Sequence, residues 1–277
     1  MKKEGLGWRI AGGVLIAVGI LVVLFPLYVA FINSFKTMEE AGRNFFALPS
    51  EWTLENYITL FQKDNYFIYV RNSAIITIVS VVFVSICVPA VSYPLARNFH
   101  ARYYKFVYYY LVIGIFVPFQ VIMLPLTVTM TKLGLANIPG VILLYIVLSL
   151  SKGVFLFVNY IRGLPLEIED AAKIDGCSVF QLYRRIILPL TRPMLATLII
   201  MDALWFWNDF VLPQLMLNKT PDYWTLPLFQ YNFKTEYAFN YTMAFTAYLL
   251  SMLPMLIIYV CLQKHIVKGL TAGAVKS

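Results

Sequence analysis

Six long apolar runs, separated by polar segments, limit what this sequence can fold into. A helix needs about 20 mostly apolar residues to cross the hydrocarbon core of a bilayer, and each run reaches that length. The runs extend approximately over residues 10–32, 70–95, 106–130, 138–161, 190–217 and 241–266. The composition is 60% hydrophobic and only 13% charged, whereas about 25% of the residues in a soluble domain are charged. We therefore predict an all-α integral membrane protein with six transmembrane helices.

One transmembrane domain is expected over residues 1–277. It comprises an N-terminal span at 10–32, core spans within 70–266, an inner loop at 162–189 and a tail at 267–277. The first run follows basic residues, as a secretory signal does, but it is long and lacks a small-residue cleavage site, so we interpret it as an uncleaved span. About twice as many lysines and arginines lie on the side of the two termini as on the other side, which predicts that both termini are cytoplasmic.

Several classes of protein do not fit this sequence. The three cysteines, Cys87, Cys177 and Cys261, match no disulfide or metal spacing, and the two histidines, His100 and His265, cannot form a helical zinc pair. No phosphate-binding loop is present, so we expect no ATP hydrolysis, no catalytic residue and no bound metal or cofactor in this chain. The net charge of +8 is dispersed between apolar segments, which argues against a nucleic-acid partner.

Ionisable residues within the predicted spans are candidates for a functional role, because charges are costly in a bilayer. Asp202 and Asp209 are seven residues apart on the fifth span, a spacing that places them on one helical face. They either have a structural or cavity-lining role or bind the coupling ion of a proton- or sodium-driven carrier. The carrier interpretation lacks a matching half-repeat, a common feature of such proteins. Lys152 on the fourth span either snorkels to the interface or lines an inner vestibule.

The inner loop is predicted to contain two short helices. The first covers 163–176, with Pro165 in its first turn, acidic residues near its N-terminus and Gly176 as a left-handed stop. Residues 178–181 form a capping box for the second helix, and Pro189 is expected to end it.

One face of the first loop helix has small side chains at helical spacing. Ile168, Ala171, Ala172 and Asp175 follow the i, i+3, i+4, i+7 rule. Small residues allow the groove of another protein to approach the helix closely. A plain membrane-surface helix that joins two spans is the alternative interpretation.

A specific resemblance decides between these interpretations. The run Asp170-Ala171-Ala172-x-x-x-Gly176, followed by Ile186-x-Leu188-Pro189, resembles the EAA loop of ABC-importer permeases, with Asp170 where that family usually has glutamate. The longer string 169–193 is similar to the MalG-type permeases of carbohydrate importers. The similarity extends to residues 205–210, 53–57 and 269–276, and Cys177 replaces the usual alanine.

This resemblance implies a type I ABC-importer permease fold, with a cytoplasmic coupling helix between spans 4 and 5. It implies a bacterial inner-membrane location among membrane lipid, a MalF-like second permease, two cytoplasmic ATPase subunits that bind ATP and magnesium, and an extracytoplasmic sugar-binding protein. The residues implied in ATPase coupling are Glu169, Asp170, Ala171, Ala172, Asp175 and Gly176. Asp170 is expected to pair with a basic residue of the ATPase.

Further candidate residues concern the substrate pathway and the binding protein. The pathway candidates are Asp202, Trp205, Asn208 and Asp209. The candidates for binding-protein contact, in the aromatic-rich segment 218–240, are Tyr223, Trp224, Tyr231 and Phe233. An interfacial aromatic belt is the alternative for the second group. The implied cargo is an oligosaccharide, such as raffinose or another α-galactoside, or multiple sugars; a non-sugar solute such as glycerol phosphate is the alternative.

Overall fold

A computed structural model describes residues 6–62, 66–231 and 240–274, and the side chains of 11–62, 66–231 and 240–260. All regular elements in these ranges are helical. The first group of helices is α1 (Leu6–Ser34), α2 (Met38–Arg43), α3 (Glu55–Gln62), α4 (Tyr66–Arg97), α5 (Arg102–Ile113), α6 (Phe119–Lys132) and α7 (Ile138–Arg162). The second group is α8 (Glu167–Ile174), α9 (Val179–Leu182), α10 (Leu188–Leu190), α11 (Arg192–Asn208), α12 (Val211–Leu217), α13 (Leu226–Tyr231) and α14 (Tyr241–Ala274).

Four of the described helices are long and apolar enough to cross a membrane alone. Their spanning portions are Ala11–Ser34, Tyr66–Arg97, Ile138–Arg162 and Tyr241–Val260. Two bent pairs raise the number to six if each pair is one span: Arg102–Phe116 with Phe119–Lys132, bent by 102°, and Val179–Leu190 with Arg192–Asn208, bent by 69°. The described helices therefore provide four to six spans, a range that includes the predicted six. The cytoplasmic location of both termini stays a prediction.

The third and fifth apolar runs do not form the continuous helices that their length predicts. The third breaks between Gly114 and Pro118, where Pro118 has an extended backbone conformation just before α6. Proline lacks the amide hydrogen that would continue the helix. The fifth breaks at Asp209, which leaves α11 with an extended ψ of 130° before α12 begins.

Two compact units are defined by contacts within the chain. The first comprises Met1–Phe67 and Phe229–Leu253, and the second comprises Ile68–Leu228 and Pro254–Ser277. In the first unit, only 11% of the most apolar stretch of α1 is buried inside the chain. In the second unit, the centre of the core is α7, whose buried side chains include Tyr145, Phe157 and Ile161.

The loop after α1, in the first unit, is organised around a fully buried lysine. Lys36 Nζ donates to the carbonyl oxygens of Asn44 at 2.6 Å and Ala47 at 2.5 Å. Asn33 donates to the Phe45 carbonyl, and Asn56 donates to the carbonyl of Lys36 itself. Burial lowers the pKa of the Lys36 ammonium. This loop is therefore a fixed structure held by side chains that bind the backbone.

Replacing Lys36 should loosen this loop without unfolding the spans. In Lys36→Met, the carbonyls of Asn44 and Ala47 lose their donor, and a hydrogen bond to a charged group contributes about 1.5–3 kcal/mol. We expect faster protease cleavage within 37–53 of the purified protein. Arg43→Met is the matched control, because Arg43 is exposed and pairs only with exposed Glu39 within its own helix. Equal cleavage rates in the two variants would contradict this role for Lys36.

Candidate functional site

The first loop helix, α8, ends as the sequence predicts. Gly176 has a φ of +80°, a left-handed conformation that glycine adopts without strain. Its amide donates to the Lys173 carbonyl, and the Cys177 amide donates to the Ala172 carbonyl. These two bonds form a Schellman motif, which satisfies the last carbonyls of a helix. At the other end, Pro165 precedes the helix instead of lying in its first turn.

The four residues predicted to share a face of α8 do not all lie on its outer side. Ile168, Ala171 and Asp175 are exposed, but Ala172 is buried against Leu182. Ala172 is covered because α8 packs on the helix that follows it, and this contact buries the side of α8 that carries Ala172.

Glu169 is also directed inward, although the resemblance placed it among the docking residues. Only 2% of Glu169 is exposed, and its Oε1 lies 2.5 Å from Arg97 Nε at the end of α4. Tyr93 donates its hydroxyl hydrogen to Glu169 Oε2 at 3.0 Å. By contrast, Asp170 is exposed and pairs only with exposed Lys173 on its own helix. The two adjacent carboxylates therefore face opposite environments.

The second loop helix begins as predicted and ends at Leu190, one residue after Pro189. Ser178 and Gln181 form the reciprocal capping box at the start of α9. The chain then widens into one π-helical stretch, Tyr183–Ile187, and continues through α10, which contains Pro189. The helical run stops at Leu190, and α11, which begins at Arg192, is bent by 69° from it.

The tip of the inner loop carries exposed apolar side chains. Ile174 is 86% exposed, Val179 75% and Phe180 68%. Together with exposed Ile168, these residues surround the junction between α8 and α9. We call these four residues the loop tip. Exposed apolar residues gathered on a polar loop are typical of a surface that another protein covers.

Within the membrane region, Asp202 on α11 is fully buried and forms an ion pair with α7. Its Oδ1 lies 2.6 Å from Lys152 Nζ, and its Oδ2 accepts a hydrogen bond from the Ser149 hydroxyl at 2.6 Å. Lys152 also lies over the ring of Trp205, 5.0 Å from its centroid. Lys152 is therefore held by a buried partner on a neighbouring helix.

Asp209 also binds α7, so the two aspartates face the same neighbouring helix, as their seven-residue spacing predicts. Asp209 is the residue at which α11 ends. Its Oδ2 accepts a hydrogen bond from the Tyr145 hydroxyl at 2.9 Å, and its Oδ1 accepts from the Val211 amide. Asn208, the remaining pathway candidate, is exposed, and its side chain donates to the Leu204 carbonyl of its own helix.

A cavity of about 340 Å³ lies beside the Lys152–Asp202 pair. Its wall includes Lys152, Ser151 and Trp205, together with apolar residues from the break between α5 and α6, such as Phe119. Gly114 also lines it, and a Cβ atom at this position would lie only 2.5 Å from Ser151 Oγ. The broken third span therefore leaves room for a small molecule next to an indole ring, an ammonium group and a hydroxyl group.

The aromatic segment after α12 is only partly available for contact with another protein. Tyr223 and Tyr231 are exposed. Trp224 packs on Tyr69, and its indole nitrogen donates to the Asn218 carbonyl. Phe233 lies outside the described residues.

The residues that the sequence analysis missed are the partners of the acidic candidates. They are Tyr93, Arg97, Tyr145 and Ser149. A signal for two of them was present, because Tyr145, Ser149 and Lys152 follow the i, i+4, i+7 rule on an otherwise apolar span. Tyr93 and Arg97 are also four residues apart on one helix, but this spacing does not indicate Glu169 as their partner.

Comparison with known proteins identifies the class of this chain. A family model for the inner membrane component of binding-protein-dependent transport systems matches residues 90–272. The chain belongs to this family of membrane transport components. Its relatives are permease proteins by name, so the chain is a permease subunit and not an enzyme.

Individual relatives resemble the chain over its whole length. It is 46% identical over 281 residues to the multiple sugar-binding transport system permease protein MsmG of Streptococcus mutans, covering 100% of both chains. It is 34% identical over 256 residues to the probable starch degradation products transport system permease protein AmyC of Thermoanaerobacterium thermosulfurigenes, covering 92% and 93% of the two chains. A solved bacterial ABC transporter involved in alginate import has a chain with the same fold, with a TM-score of 0.81, 21% identity and coverage of 96% and 100%.

Proposed function

We propose that this chain is one permease subunit of an ATP-driven importer for oligosaccharides. The observation that carries the proposal is the 46% identity, along the whole chain, to a multiple-sugar permease. Other relatives are named for starch degradation products and arabinooligosaccharides. Neither a carrier driven by Asp202 or Asp209 nor a glycerol phosphate permease is favoured by these relatives. Raffinose stays one candidate among the oligosaccharides.

The inner loop is the proposed contact with a cytoplasmic ATPase. Asp170, Ala171 and Asp175 are exposed on α8, beside the apolar loop tip, and Gly176 fixes how the helix ends. This combination of charged and apolar groups on a rigid short helix matches helix-in-groove recognition. Glu169 and Ala172 hold α8 to the rest of the permease. ATP and magnesium bind to the ATPase, and both chain termini lie on this cytoplasmic side.

The cavity beside Trp205 is the proposed contribution of this subunit to the sugar pathway. Lys152 is neutralised by Asp202, so the cavity offers hydrogen bonding without a strong net charge, which suits an uncharged sugar. The indole ring of Trp205 offers an apolar surface for a sugar ring. Asp209 and Asn208 lie toward the outer end of the same helix.

A second permease and a binding protein are the remaining proposed partners, and the first is inferred because this chain has a single inner loop for docking. An ATPase dimer has two docking clefts, so a second, MalF-like permease completes the assembly in the bacterial inner membrane. A binding protein delivers the sugar from outside. A solved relative of the same fold is described in complex with a periplasmic protein that carries an alginate pentasaccharide. Exposed Tyr223 and Tyr231 are the proposed contacts with the binding protein in this chain.

Purification of the tagged chain in mild detergent tests the proposal. We expect a second permease and an ATPase to be recovered with it, and binding protein plus an oligosaccharide to stimulate ATP hydrolysis. Parallel assays with raffinose, maltooligosaccharides and arabinooligosaccharides identify the cargo. Recovery of an inserted, folded chain without an ATPase would contradict the proposal.

A pair of matched variants tests the loop tip itself. Ile174→Asp places a charge on an exposed apolar residue of the loop tip, and we expect the ATPase to be lost from the purified complex. Leu133→Asp makes the same change at a residue that is 65% exposed beyond the end of α6. The control variant should retain the ATPase. Loss in both variants, or in neither, would contradict docking at the loop tip.

A further inference from the structure

We propose that Arg97 and Glu169 form the joint through which movement of α8 reaches the membrane helix α4. This inference rests on the proposed function, because it concerns how an ATPase would move the permease. Arg97 is then a positioning residue for coupling, although it lies 73 residues before Asp170 and outside the inner loop.

The joint consists of side chains from α4 that occupy both oxygens of one carboxylate. Arg97 binds Oε1 of Glu169, and Tyr93, one helical turn earlier, donates to Oε2. Arg97 also donates to the carbonyl of Leu164, in the segment that leads into α8. A carboxylate held on both oxygens by a guanidinium and a hydroxyl has a fixed position and orientation. The start of α8 and the end of α4 therefore move together.

Because Glu169 is buried, we infer that it pairs within this chain and does not contact the ATPase. The side chains of Arg97 and Glu169 are only 12% and 3% exposed, so neither charge is free to pair with another protein. Removing one member leaves the other charge buried without its partner, which is strongly unfavourable. Asp170, the next residue, is 64% exposed and remains available for docking.

From the joint, α4 continues through Pro94 and Pro89 to a close contact with α7, which carries Lys152. Val88 lies nine residues before Arg97, about 14 Å along the helix at 1.5 Å per residue. It contacts Gly153 of α7 so closely that a Cβ atom at Gly153 would lie 2.7 Å from Val88 Cγ2. Because no gap separates the two helices here, α4 cannot shift toward α7 without moving it. Gly153 adjoins Lys152, which binds Asp202.

The test uses the assembled importer in proteoliposomes, with uptake and ATP hydrolysis measured together. We expect Arg97→Gln and Glu169→Gln to retain the ATPase subunits but to lower the sugar taken up per ATP hydrolysed by about tenfold, within the usual range of coupling between sites. The double variant should lose no more than either single variant, because both changes break one contact. The charge exchange R97E/E169R should restore part of the uptake.

Controls separate coupling from folding. Glu167→Gln changes an exposed carboxylate of the same helix and should leave uptake per ATP unchanged. Arg97→Lys keeps the positive charge but loses the planar guanidinium that binds Glu169 and the Leu164 carbonyl together. It remains informative if Arg97→Gln folds poorly, and we expect an intermediate loss.

Three outcomes would overturn the proposal. Loss of the ATPase from the Glu169→Gln complex would make Glu169 a docking residue. Additive losses in the double variant would show that the two residues act separately. Unchanged uptake per ATP in both Arg97 variants would show that Arg97 does not couple α8 to α4. Failure of the proposed function is distinguishable, because no ATPase would then be recovered with the wild-type chain.

Discussion

Lys152→Met is expected to destabilise the protein more than any other change considered for this chain. The substitution leaves the Asp202 carboxylate, which is fully buried, with only the Ser149 hydroxyl as a partner. Breaking a buried ion pair by removing one partner costs about 3–5 kcal/mol. We expect a large fall in the unfolding temperature and in the yield of monodisperse protein in detergent.

The reciprocal change should be milder. In Asp202→Leu, Lys152 loses its anion, but 30% of its side chain is exposed and it lines the cavity, so its ammonium group can take a hydrated position. The double variant K152M/D202L replaces both charges with apolar groups and should recover much of the stability. We therefore expect Lys152→Met to be the least stable, followed by Asp202→Leu and then the double variant.

Lys219→Met is the matched control for this series. Lys219 is exposed beyond the end of α12, where removal of one charge changes stability by about 0.5 kcal/mol or less. If Lys152→Met were no less stable than this control, the ion pair would not contribute to folding. If the double variant were as unstable as Lys152→Met, packing around these side chains would outweigh their charges.

The second large effect is expected for Gly176→Val, and it concerns transport instead of folding. No atom lies within 4 Å of the position that a Cβ would take, so the effect comes from the backbone conformation. A residue other than glycine in the left-handed region costs about 1–2 kcal/mol, and more when it is β-branched. The chain can relieve this strain only by changing the end of α8. We expect normal insertion and a fall in uptake of about tenfold or more.

Gly134 provides a matched control for this variant. It has a φ of +70°, also has no atom near its Cβ position, and ends α6 with the same pair of hydrogen bonds. Gly134→Val therefore introduces similar strain in a different loop. Uptake should be largely retained in this control. Similar losses of uptake in both variants would show that the effect comes from general strain. Unchanged uptake in Gly176→Val would show that the inner loop does not take part in coupling.

The features that the sequence predicted best are those set by local chemistry. Gly176 ends its helix and residues 178–181 form their capping box, because both motifs depend on a few neighbouring residues. The helical class also follows directly from the apolar runs. Pro189 likewise lies one residue from the end of its helix, because the helical run stops at Leu190.

Tertiary contacts were not predictable in the same way. Glu169 and Asp170 are adjacent and chemically similar, yet one is buried and the other exposed, because only Glu169 meets Arg97. Asp209 and Asp202 both face α7, as their spacing predicts, but that regular spacing concealed the end of α11 at Asp209. Such outcomes depend on which helices pack together, and local sequence patterns do not reveal these contacts.

The ion pair between Lys152 and Asp202 also has a consequence for how the protein is made. The two residues are separated by 50 positions along the chain. At about 5–20 residues per second, the ribosome needs about 3–10 s to reach the aspartate after it has added the lysine. During that interval, the helix that carries the lysine has no counter-ion. Its release into lipid is therefore expected to be delayed until the later helix arrives, so that the two helices leave the insertion machinery as a pair.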